Sequence, residues 1–435
     1  METAPPSQKA WMWLQFTRNR RVIGGLLLWT LLWAGLNTVD PSGHGMTRWL
    51  SEVRGCLPLL AGGLAAMVLL RGLHAWEGWE PLLLMAAYGL LGLVSSVFFS
   101  PDPAVASYWA SLYLAVPVVL LCIKRSDVGS LALLLNVTWL FVAAIGSLLV
   151  AIAVWAIGPH GGRSLYAAIA FLPSVGGIPM VRSTGIARYA AIIGLVALAR
   201  ILYGRRLIVR VAWSVGALLC GLILWYSLSA GASVACLVAV FVILLLSRNT
   251  RLIMAVIVMG LGATWLFHDT IWRNLFRAKT IDHFFSGRFD IWRSAWEMLI
   301  DSPALGFGFH ADRLLMEWPF HNHISNAFLH AFVQSGVLGG ILFALAWVWV
   351  CWLLVRWIRG TWTQSAAIRL TVMEVTGVMV FLTLRALFES SGAFFGVDWL
   401  ILSVLMAYVF AVTRSPGCSG LVSAAPRGPA KAWQT

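Results

Sequence analysis

Apolar runs of membrane-crossing length recur through nearly the whole chain, and they restrict its fold more than any other feature. A helix needs about 17–25 predominantly apolar residues to cross the roughly 30 Å hydrocarbon core of a bilayer, because it rises only about 1.5 Å per residue. Such runs fall near 22–38, 55–71, 79–98, 104–123, 130–157, 186–203, 208–227, 230–247, 251–268, 326–355, 368–388 and 395–413. They predict an all-α polytopic membrane protein of about twelve spans. A hydrophobic fraction of 60%, 11% charged residues and a mean hydropathy of +0.84 exclude an ordinary soluble domain.

The net charge of +14 raises the question of nucleic acid, but the basic residues stand in short clusters between apolar runs. Membrane topology and anionic lipid headgroups account for that pattern, so membrane lipids and no nucleic acid are the expected partners. The six cysteines, Cys56, Cys122, Cys220, Cys236, Cys351 and Cys418, show no CxxC spacing and support neither a disulfide framework nor a zinc site. The first apolar run, Val22 to Leu36, lacks a small-residue cleavage site and reads as a retained helix.

Short loops retain their positive residues on the cytoplasmic side. Arg18, Arg20, Arg21, Arg71, Lys124, Arg125, Arg200, Arg205, Arg206, Arg210, Arg248, Arg251, Arg356, Arg359, Arg369 and Arg414 all fall on one side of the alternation. The expected layout is a cytoplasmic N-terminus (1–21), a membrane unit (22–414) and a cytoplasmic tail (415–435), whose Gly, Pro, Ser and Ala content predicts disorder. The opposite side holds Asp40 to Arg54, the turn Ser100 to Pro103, a loop from about Gly158 to Gly185, and a long segment, 268–325.

That long segment carries Arg273, Arg277, Lys279, Arg288, Arg293 and Arg313 with the pair His321 and His323. Long loops translocate largely regardless of charge, so topology permits cations there. Two readings stand: the arginines bind a phosphorylated ligand, or they anchor to lipid and pair with Asp269, Asp282, Asp290, Asp301, Asp312 and Glu317. Within the segment, Ile291, Trp292, Ala295, Trp296 and Leu299 recur at helical spacing, which predicts a helix over 288–300 lying in the interface. Ser302 and Pro303 end it, and Gly306 and Gly308 open a turn.

Three groups of residues suit chemistry on phosphate and sugar. Arg182-Ser183-Thr184-Gly185 with Arg188 lies where a loop enters the sixth span, so guanidinium forks meet the free amides of a helix start. The alternative has Arg188 snorkelling to the interface and Arg182 pairing with a loop carboxylate. Ser286-Gly287-Arg288 opens the predicted loop helix, with Arg293 in support. Phe320-His321-Asn322-His323-Ile324-Ser325-Asn326 supplies imidazoles able to take a proton from a sugar hydroxyl and amides able to orient them. This last group also reads as a polar cap on the tenth span. No third ligand stands at metal-site spacing, and the chain carries no P-loop or dinucleotide fingerprint.

In these respects the chain resembles the bacterial O-antigen ligase and polymerase superfamily of integral membrane glycosyltransferases. Arg182-x-x-Gly185 resembles its outer-loop arginine motif, and Ser286-Gly287-Arg288 with Trp292 the start of its large loop. The stretch before Gly336-x-x-Gly339 resembles its histidine motif, a histidine and an Asn, Ser or Gln followed by nine residues and Gly-x-x-Gly. In that register Ser325 stands where the family has histidine and Asn326 where it has the amide, so His323 or His321 is the available base. His323 is favoured as the nearer to the helix mouth.

The resemblance implies a multi-pass protein of the bacterial inner membrane, with both termini cytoplasmic and a large, partly helical periplasmic loop. It implies an O-antigen ligase that moves a glycan from undecaprenyl diphosphate to a lipid A-core sugar hydroxyl at the periplasmic face, inverting and without metal or cofactor. Arg288, Arg182 and Arg188 would hold the diphosphate, His323 or His321 would take the proton, and Asn322, Ser325, Asn326 and Arg293 would support them. A polymerase of the same superfamily acts on a second polyprenyl-linked glycan instead. A transporter or lipid-linked glycan flippase is the reading from another class, and it predicts broken helices at mid-membrane and similar halves.

Overall fold

The computed structural model describes residues 22–36, 46–71, 80–124, 128–157, 183–203, 206–227, 229–250, 254, 258, 281–302, 304–315, 324–361 and 366–414. The expected N-terminal segment and tail, the ninth span apart from Met254 and Val258, Arg182, His321, Asn322 and His323 lie outside the described residues. Every regular element among the described residues is a helix, as a bilayer requires of segments that must satisfy their own backbone.

The helices, numbered in chain order, are α1 (Val22–Ala34), α2 (Met46–Leu70), α3 (Pro81–Phe98), α4 (Pro103–Lys124), α5 (Val128–Ile157) and α6 (Ser183–Tyr203). They continue as α7 (Leu207–Ser227), α8 (Ala230–Ser247), α9 (Ile281–Asp301), α10 (Ala327–Thr361), α11 (Ala366–Ala386) and α12 (Val397–Arg414), with a single turn at Asp312–Leu315. Ten, all but α1 and α9, are long and apolar enough to cross a membrane. α9 begins at Ile281, seven residues before Arg288, so Ser286-Gly287-Arg288 lies inside the helix and not at its start. The helical pattern simply runs back through Gly287, since one glycine in a helix costs only about 1 kcal/mol relative to alanine.

α12 forms the centre of the bundle, packed by α3, α4, α5, α10 and α11. Aromatic contacts secure it: Trp399 stacks on Tyr113 with ring centroids 4.5 Å apart, and its indole N–H donates to the Tyr113 carbonyl at 3.1 Å. Tyr88 and Phe309 close the same cluster. α6, α8 and α11 pack together beside it, and α7 lies outermost against α6.

α10 is not continuous. Ser335 (φ −133°, ψ 19°) and Gly336 (φ 65°, ψ −170°) leave helical geometry, which frees the carbonyls of Val333 and Gln334. Those carbonyls accept from Phe307 N–H and Gly308 N–H, both at 2.9 Å. The 304–309 backbone thus docks into the break, wedged against α3, where Ser95 Oγ donates to Leu305 O and Phe309 N–H donates to Ser96 Oγ at 2.9 Å. The named backbone groups of the docked segment and of the break supply one another with partners, which is the condition for irregular chain inside a bundle.

Gly336 is required twice over in this joint. Its φ is in the left-handed region, and a Cβ there would lie 2.2 Å from the Ala304 carbonyl oxygen. Gly336→Ala is expected to lower the thermal midpoint in detergent by several degrees, since left-handed strain alone costs about 1–3 kcal/mol. Gly360→Ala, where an added Cβ meets nothing within 4 Å, is the control expected to lose none. Equal midpoints for the two variants would contradict the docked joint.

Candidate functional site

The connection from Arg385 to Asp398, between α11 and α12, gathers side chains from four distant stretches of sequence. Arg188, in the second turn of α6, places Nη1 3.3 Å from Asp398 Oδ1. Arg385, in the last turn of α11, places Nε 3.4 Å from Asp398 Oδ2, and Ser391 Oγ donates to the same oxygen at 2.7 Å. Arg385 Nη1 also donates to the Thr184 carbonyl at 3.3 Å, tying the start of α6 to the end of α11. Arg288, on α9, holds its guanidinium 5.8 Å from the ring centroid of Phe388.

Asn326 joins the fourth stretch to this connection. Its Oδ1 accepts from Phe328 N–H at 2.9 Å and Leu329 N–H at 3.0 Å, which makes it the N-cap of α10. Its Nδ2 donates to the Leu387 carbonyl at 3.1 Å. The neighbouring Ser325 is buried, and its Oγ has no hydrogen-bond partner among the described residues.

A second polar group lies under this one. Asp312 is buried; its Oδ2 accepts from Ile324 N–H at 3.1 Å and lies 3.3 Å from His330 Nε2. Burial alone would raise the Asp312 pKa, but the charge of and hydrogen bond from His330 together with the Ile324 amide outweigh it and hold the carboxyl well below the usual range. Gln334 contacts His330 Nε2 through Nε2 at 2.9 Å and Tyr88 through Oε1 at 2.5 Å, while Tyr88 O–H also reaches the Ala393 carbonyl at 2.7 Å. One phenolic proton serves both acceptors poorly. With the amide turned over, Gln334 donates to Tyr88, Tyr88 donates to Ala393, and the His330 Nε2–H is shared between Asp312 and Gln334. That chain links α3, α10, the Asp312 turn and the α11–α12 connection.

His310, two residues before Asp312, is held at φ 66° with its ring stacked on Trp109, centroids 5.4 Å apart and planes within 9°. Burial and then Arg313 push its pKa down to about 4, so the imidazole is neutral at pH 7. An aromatic pair with a neutral imidazole therefore flanks the Asp312 turn.

Of the residues expected from the sequence, the structure brings Arg188, Arg288 and Asn326 to one connection, with Ser325 buried next to Asn326 in the chain. Arg188 does not snorkel to an interface; it is mostly buried and ion-paired with Asp398. Arg293 is not gathered in. Its side chain is 82% exposed and pairs with Glu297 one turn along α9 at 3.1 Å, as ordinary surface i,i+4 neighbours do. Arg385, Asp398 and His330 escaped the sequence reading. The signal available was an ionisable residue inside an apolar run, as in Arg385 within MVFLTLRALF and Asp398 within GVDWLIL.

No curated protein matches the chain. Residues 215–344, from α7 through the break in α10, match a family model described as O-Antigen ligase. The matched segment contains Arg288, His321, His323, Ser325, Asn326 and Gly336; Arg188, Arg385 and Asp398 lie outside it. Ten described helices are long and apolar enough to make this a multi-pass membrane protein, and its residues 215–344 are similar to the O-antigen ligase family, of membrane glycosyltransferase type.

Proposed function

We propose that the protein is an O-antigen ligase that transfers a glycan from undecaprenyl diphosphate to a lipid A-core sugar hydroxyl at the periplasmic face of the inner membrane. The observation that carries this reading is the convergence of Arg188 and Arg288, 100 residues apart in sequence, on the Arg385–Asp398 connection. Guanidinium forks suit phosphoryl oxygens, and both substrates carry lipid anchors, so a site at the end of a helical bundle lets them meet without leaving the membrane.

In the proposed step the acceptor hydroxyl oxygen attacks the anomeric carbon, and the bond from that carbon to the diphosphate oxygen breaks. The electron pair leaves on the diphosphate, the anomeric configuration inverts, and the hydroxyl proton passes to His323 or His321. Arg288 and Arg188, with Arg182, stabilise the charge developing on the leaving group, which is why no metal or cofactor is required. Ser325 and Asn326 follow the histidine segment in the sequence, and Asn326 fixes the mouth of α10 through its cap.

A transporter would use a broken helix to line a path. The break in α10 is instead filled by the 304–309 backbone, and the Arg188, Arg385 and Asp398 charges lie near helix ends. Both features favour chemistry at a surface over passage. The test is transfer by the purified, reconstituted protein from labelled polyprenyl-diphosphate glycan, in chelator, with two acceptors offered separately. Label on lipid A-core is the expected result. Label only on a second polyprenyl-linked glycan reassigns the protein as a polymerase, and label on neither, with movement of donor across the vesicle, as a flippase.

A further inference from the structure

Arg385, Asp398 and Ser391 have no task in the transfer step as described, yet they are the most enclosed part of the site. The Arg385 side chain is 6% exposed and that of Asp398 9%, against 18% for Arg188. Arg188 is thus the most exposed of the three and Arg385 the least. The contacts form a branched clasp. Arg385 Nε donates to Ser391 Oγ at 3.3 Å, Ser391 Oγ donates to Asp398 Oδ2, and Asp398 Oδ1 faces Arg188 Nη1. The other arm of the same guanidinium holds the Thr184 carbonyl in the first turn of α6, the helix that carries Arg188.

Charge within the clasp is unbalanced. Two guanidiniums share one carboxylate, which leaves an excess positive charge among Arg188, Arg385 and Asp398. Glu389 acts on Arg188 through its charge but makes no ion pair in the clasp among the described contacts. An enclosed cationic excess of this kind is costly unless an anion completes it. Lysine would not serve at Arg385, because only a planar fork reaches Ser391, Asp398 and Thr184 O together.

We propose that Arg385 is a positioning residue of the anion subsite. Through Asp398 it sets the direction of the Arg188 guanidinium, through Thr184 O it sets the start of α6, and the excess charge of the clasp is completed by a diphosphate. The inference rests on the proposed diphosphate chemistry and assigns its binding partly to α11 and α12, outside the family-matched segment.

The test is ligand-dependent thermal stabilisation of the full protein in detergent, with farnesyl diphosphate as the probe and farnesol as its uncharged counterpart. It needs neither acceptor nor turnover. The wild-type protein is expected to be stabilised by the diphosphate and not by the alcohol. Arg188→Gln and Arg385→Gln should each weaken apparent affinity roughly tenfold, the scale of a charged hydrogen bond. Because Arg385 acts through Arg188, the double variant should bind within about twofold of Arg188→Gln alone. A purely structural Arg385 would lower the unliganded midpoint without that non-additivity.

Arg385→Gln binding as wild type, or a double variant whose loss is the product of the singles, overturns the proposal. A wild-type protein indifferent to the diphosphate overturns the diphosphate reading and the proposal together. Ser391→Ala removes the hydroxyl that orients Arg385 and Asp398 beside their direct 3.4 Å contact, without removing a charge, and it decides the matter if Arg385→Gln does not fold. It should weaken affinity about threefold, the cost of one modest hydrogen bond, and an unchanged affinity overturns the proposal.

Discussion

Arg288→Ala is expected to cut glycan transfer by roughly 10²–10³-fold, the loss seen when one preorganised donor to a developing negative charge is removed. Arg288 is half-buried on α9 beside Phe388, so its truncation removes little packing and the protein should remain folded. Arg288→Lys restores charge without the planar fork and should recover only part of the rate. Arg188→Ala should lose activity on a similar scale, with a modest fall in stability, because Asp398 keeps Arg385 and Ser391 when Arg188 is gone. The measurement is single-turnover transfer beside a thermal midpoint for each variant. Wild-type rates in both alanine variants would reject the arginine clamp.

The largest effect on stability is expected at Asp312. Asp312→Ala leaves the Ile324 amide without its acceptor and His330 without its carboxylate inside the protein. Breaking a buried pair from one side costs about 3–5 kcal/mol. Asp312→Asn keeps an oxygen for Ile324 N–H and should cost less.

Charge makes the comparison pH-dependent, and the sign is fixed by the depressed pKa of Asp312. A carboxyl whose folded pKa lies below its unfolded value of about 3.9 contributes stability that is complete above that value and is lost as pH falls through the folded one. The midpoint gap between wild type and Asp312→Asn should therefore be constant from about pH 7 down to about pH 5 in this carboxyl's contribution and shrink below about pH 4. A gap that is absent at pH 7, or that grows in acid, would contradict the pairing.

Much of the bundle was legible in the sequence because spanning helices are announced by length and apolarity alone. The runs around α3 to α8 and α10 to α12 fall where the periodic apolar stretches predict them. The start of α9 was not legible, since Gly287 beside Arg288 imitates a helix opening while the backbone continues from Ile281. Gly336 stood out only as part of a family motif. Its physical reason, the close passage of Ala304 and a left-handed φ, needs the two strands of chain in contact.

The site was half legible. Arg188, Arg288 and Asn326 could be chosen because each stands by a polar segment that punctuates the apolar runs. Arg385, Asp398 and His330 are single ionisable residues embedded in apolar sequence, and their partners are remote in it: Arg385 contacts Thr184 and His330 contacts Asp312. Pairing of that kind is a property of the packed helices. Isolated charge in an apolar helix was the available warning, and its weight comes from the cost of burying it without a partner.

The most direct test of the central claim, that an arginine cluster at the end of the bundle carries off a diphosphate leaving group, compares two donors. Purified protein in proteoliposomes, with chelator and lipid A-core, is given the same glycan on polyprenyl diphosphate and on polyprenyl monophosphate. Rapid transfer from the diphosphate donor, negligible transfer from the monophosphate, and loss of the diphosphate reaction in Arg288→Ala are the predicted results. Equal transfer from both donors, or a diphosphate reaction indifferent to Arg288, would contradict the account.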